Sequence, residues 1–250
     1  MWISLLSLIA LILPLLVLKR WISQHVQGIG LLVFNNPSVT MMLYFILFLP
    51  GILLHELSHW LVARLLGLRT GKFSLGPQKQ SRGKVSLGSV QISRSDPIRE
   101  SLVGLAPFVS GTLVVLALAH FGFGLPLLTD LPPLEHLIQV LGDIFIHLRA
   151  ADAYVWLYLI FAVSNSMFPS ETDREPWLML SLYIAVLSVL YVALAGVPQV
   201  PEELTSLTTR TFDGLVFAFG LTLVVDLIFI GFILIAEMGV GALRGQRINY

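Results

Sequence analysis

The sequence predicts an all-α polytopic membrane protein with about six transmembrane helices and a small cytoplasmic, membrane-associated β hairpin. Three observations carry that expectation. Of the 250 residues, 56% are hydrophobic and 12% charged, whereas an ordinary soluble domain carries about 25% charged residues. Mean hydropathy is +0.86, and the apolar residues fall in runs of the roughly 20 residues that a bilayer crossing needs. The basic residues are also distributed unevenly among the connecting segments, as in a membrane-inserted chain. Formal net charge is zero, so no nucleic-acid partner is expected. There is no cysteine, which excludes disulfides and thiolate metal sites and leaves His, Asp and Glu as the available ligands.

The predicted spans are 2–18, 39–66, 102–121, 153–168, 177–197 and 215–236. The first is read as a retained span and not as a cleaved leader. It lacks a positively charged start, and Lys19, Arg20 and Trp21 follow where small residues precede a cleavage site. Between the second and third spans, 72–76 and 83–92 alternate apolar and polar residues around glycine-rich breaks, the period-two pattern of a short hairpin. The segment 132–148 shows helical spacing of apolar residues.

Placing the connections alternately on two sides puts Arg64, Arg69, Lys72, Lys79, Arg82, Lys84, Arg94, Arg99, Arg174, Arg244 and Arg247 on one side. Lys19, Arg20, Arg149 and Arg210 fall on the other, so 11 of 15 basic residues share a side. By the positive-inside rule that side is cytoplasmic, and both termini are expected there.

The second span holds "HELSH", residues 55–59. His55 and His59 are four apart, one helical turn, so both imidazoles can bind one ion. Glu56 follows the first ligand directly and suits a general base acting on water at the metal. Ionisable groups inside a span are costly and mark function by default. A catalytic zinc site takes three protein ligands, so a third must come from elsewhere. On the predicted cytoplasmic side, "SNSMFPSETDREPW" (164–177) offers Asn165, Glu171, Asp173 and Glu175 beside two prolines. Asp226, within the last predicted span, is expected to pair with a polar group on another helix, and Gly51 to serve helix packing.

Together these elements resemble the site-2-protease family of intramembrane zinc metalloproteases. The resemblance covers residues 39–176. It consists of "HELSH" in a span, "FSLGPQ" and "GKVSLGSVQI" where that family has a membrane-associated β segment, and "GLAPFVSG" (104–111) on the next span. "NSMFPSETD" is similar to the family motif whose aspartate is the third zinc ligand. Asn165 and Asp173 keep its spacing of eight, although the proline falls one place late, at 169, Thr172 replaces a leucine and Arg174 a glycine.

The resemblance implies a core at 39–176, with an accessory span at 1–38 and two more at 177–250. It implies Zn2+ held by His55, His59 and Asp173, with Glu171 and Glu175 as substitutes for Asp173. Glu56 is then catalytic, and Asn165 binds substrate or the oxyanion. The implied activity is that of a zinc metalloendopeptidase cutting in or near transmembrane segments of membrane-protein substrates. Two alternatives remain: a catalytically inactive relative acting as a membrane binding or scaffold protein, and a transporter using the same polar residues as an ion path.

Overall fold

The computed structural model describes residues 2–79, 85–125, 142, 146–147, 150, 152–196 and 201–245. Helices α1 (Trp2–Phe34) and α2 (Pro37–Leu65) form a helical hairpin. Asn35 breaks α1 with a left-handed φ of 48°, a conformation asparagine tolerates better than most residues. Asn36 then caps α2, its Oδ1 accepting from the Ser38 and Val39 amides at 2.9 and 3.3 Å. Pro37 takes the first helical position, where a missing N–H loses nothing. Gly30 lets the helices touch, because a Cβ there would stand 2.7 Å from the Thr40 methyl.

Strands β1 (Thr70–Lys79) and β2 (Val85–Ile92) pair antiparallel where the alternation predicts a hairpin. The register slips between Leu75 and Gln78, at Gly76, whose φ of 119° favours glycine. The sheet rests on α2, and Leu87 reaches the main core. Helix α3 (Pro97–Phe123) starts at Asp96, which accepts from the Ile98 and Arg99 amides, and stops at a left-handed Gly124. Helix α4 (Ala153–Met167), the one-turn α5 (Glu171–Arg174), α6 (Trp177–Ala195) and α7 (Glu202–Arg244) complete the described elements. The core lies where α1, α2, α3, α4 and α7 meet, around Phe48, Phe161, Phe219 and Val225.

Five of these helices are long and apolar enough to cross a membrane, against about six expected. The sixth apolar helix, α4, has 15 residues and spans about 22 Å at 1.5 Å per residue, short of the roughly 30 Å hydrocarbon core. It is buried along most of its length, wedged between α2 and α3. The chain is thus a mostly helical protein with a two-stranded antiparallel sheet, compatible with a multi-pass integral membrane protein.

Two helices outrun their apolar runs. The predicted first span, 2–18, is the first half of a 33-residue helix, so Lys19 and Arg20 lie in mid-helix and not in a connection. Hydropathy falls there, but nothing in 19–34 stops helical hydrogen bonding. Lys19 sends its ammonium over the Phe168 ring, 5.6 Å from the centroid. The predicted last span, 215–236, sits inside the 43-residue α7. Helices α1 and α7 run parallel: His25 meets Glu237, and the Val33 carbonyl accepts from Arg244. Trp2 and Arg244 therefore stand at opposite ends of the pair. Residues 202–214, read from sequence as part of a connection, are instead the first turns of α7. Most of 132–148 lies outside the described residues.

Candidate metal centre

His55, Glu56 and His59 lie on an unbroken stretch of α2, and the two imidazole centroids are 4.8 Å apart. Each ring is tethered through Nδ1 to a backbone carbonyl of a neighbouring helix. His55 Nδ1 donates to the Ser166 carbonyl at 2.8 Å, at the end of α4. His59 Nδ1 donates to the Val103 carbonyl at 2.9 Å, on α3. A carbonyl can only accept, so both Nδ1 atoms carry hydrogen and both Nε2 atoms of the neutral rings present bare lone pairs.

Those lone pairs converge. His55 Nε2 and His59 Nε2 are 3.2 Å apart. The Asp173 carboxylate completes a triangle, with Oδ1 at 3.2 Å from His59 Nε2 and Oδ2 at 3.6 Å from His55 Nε2. Three acceptors in mutual contact repel. A shared proton can bridge one edge of the triangle, whereas a cation at its centre satisfies all three. Ligand atoms bonded at 2.0–2.1 Å to a tetrahedral ion lie about 3.3 Å from one another, close to the 3.2 Å between the two Nε2 atoms and the 3.2 Å from His59 Nε2 to Oδ1, while the edge from His55 Nε2 to Oδ2 is longer at 3.6 Å. Among the described residues, His55, His59 and Asp173 are the cluster that can hold a metal ion.

The segment carrying Asp173 is built to deliver it. Phe168 leaves α4 in extended geometry, Pro169 prevents the helix from continuing, and Ser170 opens a new turn as its cap. Asp173 closes a capping box: its Oδ2 accepts from the Ser170 amide at 2.7 Å and from Ser170 Oγ at 2.6 Å. That engages Oδ2 and leaves Oδ1 to face His59. Three glycines permit the close packing behind this placement. A Cβ on Gly51 would stand 2.0 Å from the Ala162 carbonyl, one on Gly111 2.3 Å from Met167 Cβ, and one on Gly104 2.1 Å from the Asp173 carbonyl. The packing role expected of Gly51 agrees with this geometry.

No match to a family model, a curated protein or a solved structure was found. The site is therefore interpreted from its own geometry and chemistry.

The remaining expected residues fall as follows. Glu56 is next to the cluster but outside it, partly buried, with its side chain against β2: a Cβ on Gly88 would lie 2.6 Å from Glu56 Cγ and 2.8 Å from Oε1. Glu171 and Glu175 are exposed and outside the cluster, so Asp173 is the carboxylate brought to the imidazoles. Asn165 is buried with both amide hydrogens engaged, one on the Phe161 carbonyl at 3.0 Å and one on Asp226 Oδ1 at 2.7 Å. Both N–H groups are thus taken in this geometry, and the substrate or oxyanion role expected of Asn165 would require one of them to be released. Asp226 does pair with a polar group on another helix, and the partner is Asn165.

Sequence reasoning missed the two carbonyls that orient the histidines and the cap formed by Ser170. The cap was readable, because a serine three residues before an acidic side chain is a recognised helix-start pattern. The carbonyls carry no side-chain signal.

Proposed function

We propose that this chain is an intramembrane zinc metalloprotease that hydrolyses peptide bonds in or beside transmembrane segments of membrane-protein substrates. One observation carries the proposal: two bare imidazole nitrogens and a carboxylate converge at 3.2–3.6 Å, with a glutamate directly after the first histidine and outside the cluster. His55 Nε2, His59 Nε2 and the Asp173 carboxylate would hold the ion. A zinc ion bound there supplies Lewis acidity that polarises a carbonyl and acidifies a water molecule at neutral pH.

The rest of the chemistry belongs to the chain. Glu56 takes the water proton and returns it to the departing amine, the general-base and then general-acid role that its position after His55 suits. The Ser166 and Val103 carbonyls keep the imidazoles in one tautomer and one orientation, as partners of this kind do at metal sites. A helical substrate hides its carbonyls in internal hydrogen bonds and must unwind before attack. The β1–β2 hairpin, lying beside Glu56, offers a sheet edge on which the unwound stretch can add as a strand. The hairpin end of the bundle carries Arg64, Arg69, Lys72 and Arg94, which supports a cytoplasmic location for it.

The test compares purified wild type with Glu56→Gln, measuring bound zinc and cleavage of a model transmembrane substrate in lipid. Zinc retained and cleavage abolished in the variant supports the reading. Undiminished cleavage by Glu56→Gln removes the general base. A wild type that binds zinc without cleaving any membrane substrate points to the inactive relative.

A further inference from the structure

Helix α3 carries Pro107 in its interior, where proline is ordinarily costly. Proline has no N–H to donate to the carbonyl four residues earlier, and its ring pushes against that same carbonyl. Four residues before Pro107 is Val103. The Val103 carbonyl is the acceptor that holds His59 Nδ1, at 2.9 Å across the α2–α3 contact. The helix interruption therefore falls on the one carbonyl the histidine uses. A regular helix would give that oxygen an internal donor and direct it along the axis. Here the oxygen lacks an internal donor at position 107 and receives the imidazole N–H from the side.

The surroundings fit this function better than a general loosening of α3. Gly104, the next residue, leaves space for the Asp173 carbonyl. Pro107 itself is buried, which places its ring within the packed α3 and not at a solvent-facing bend. On either side of the interruption α3 continues as helix from Pro97 to Phe123.

We propose that Pro107 is a positioning residue of the metal centre, acting by freeing the Val103 carbonyl to hold His59 in its metal-binding orientation. The inference rests on the metal reading of the His55, His59 and Asp173 cluster. Restoring an N–H at position 107 makes the helix compete for that carbonyl and loosens the ring. Removing the N–H without proline leaves the device intact.

The experiment measures zinc affinity by chelator competition on full-length protein in detergent, with monodispersity checked for each variant. Pro107→Ala supplies the competing N–H and is expected to weaken zinc binding about 10- to 100-fold, the usual effect of losing a ligand's orienting partner. The α-hydroxy analogue of alanine at position 107 replaces the N–H by an ester oxygen and is expected to bind zinc as wild type does. Pro14→Ala, in α1, is the control and is expected to leave affinity unchanged. Wild-type affinity in Pro107→Ala, or equal losses in the alanine and ester variants, overturns the proposal. A wild type that binds no zinc removes the metal reading, and the role of Pro107 with it.

Discussion

Gly104→Ala tests whether packing, and not only ligand identity, makes the metal centre. A Cβ at residue 104 would stand 2.1 Å from the Asp173 carbonyl oxygen, while ordinary contact begins near 3.4 Å, so something must move by about 1.3 Å. The obstacle is backbone, which cannot swing aside as a side-chain tip can. Either α3 withdraws, taking the Val103 carbonyl away from His59, or the α5 turn withdraws, taking Asp173 away from both histidines. Metal–ligand distances tolerate about 0.2 Å, so the displacement far exceeds what the site absorbs. Overpacking of this kind destabilises by about 1–3 kcal/mol, and a misplacement near 1 Å can lower turnover about 100-fold. The assay is zinc affinity with thermal stability, compared with Gly231→Ala, where an added Cβ meets nothing within 4 Å. Wild-type zinc affinity in Gly104→Ala would refute the claim that this close approach sets the position of Asp173.

Gly88→Ala places a methyl 2.6 Å from Glu56 Cγ; it is expected to displace the Glu56 carboxylate and lower kcat while bound zinc, read by metal analysis, stays at the wild-type level. Asp226→Leu leaves an Asn165 N–H without its buried partner, which costs about 1–3 kcal/mol and is read as a lower thermal midpoint with zinc binding retained. Asp173→Asn cannot serve both partners, because an amide nitrogen facing the Ser170 amide repels it and one facing the imidazoles cannot coordinate; zinc affinity is expected to fall as far as in Asp173→Ala. The hydrogen bond from the Arg99 amide, with help from Ser95, holds the Asp96 carboxyl below the usual carboxylate range. Its stabilisation is therefore present above the unfolded-chain value near pH 4 and fades as pH falls through the lower folded value. Asp96→Ala should melt below wild type near pH 7, and the gap should close in acid.

The hydrophobic pattern located the spans at 39–66, 102–121, 153–168 and 177–197 within a few residues of α2, α3, α4 and α6, because each run is bounded by caps, prolines or charges that also end the helix. It failed at α1 and α7. Lys19 and Arg20 end an apolar run without ending a helix, since a helix needs hydrogen bonds and not hydropathy to continue. The candidate trio was legible because His55 and His59 share a helical face by spacing alone, whereas only the family resemblance favours Asp173 over Glu171 and Glu175. The direction of Asn165 was not legible. It depends on how far α4 and α7 are rotated about their axes, and the Asp226 that claims its amide lies 61 positions away.

The residues around Asp173 have a local structural logic of their own. With proline at 169, α4 closes at Met167 and the chain turns through Phe168 in extended geometry. Phe168 is fixed there by Phe219 of α7, centroid to centroid at 5.8 Å, and by Lys19 of α1. Ser170 can then nucleate a turn whose third residue must be a reciprocal acceptor, and Asp173 is that residue. Arg174 continues the turn, its Nε donating to the Ser170 carbonyl at 3.2 Å. The carboxylate is thus aimed by a cap on Oδ2, which leaves Oδ1 to face His59. The triangle of His55, His59 and Asp173 thus depends on Pro169 stopping α4 and on Gly104 keeping α3 out of the way.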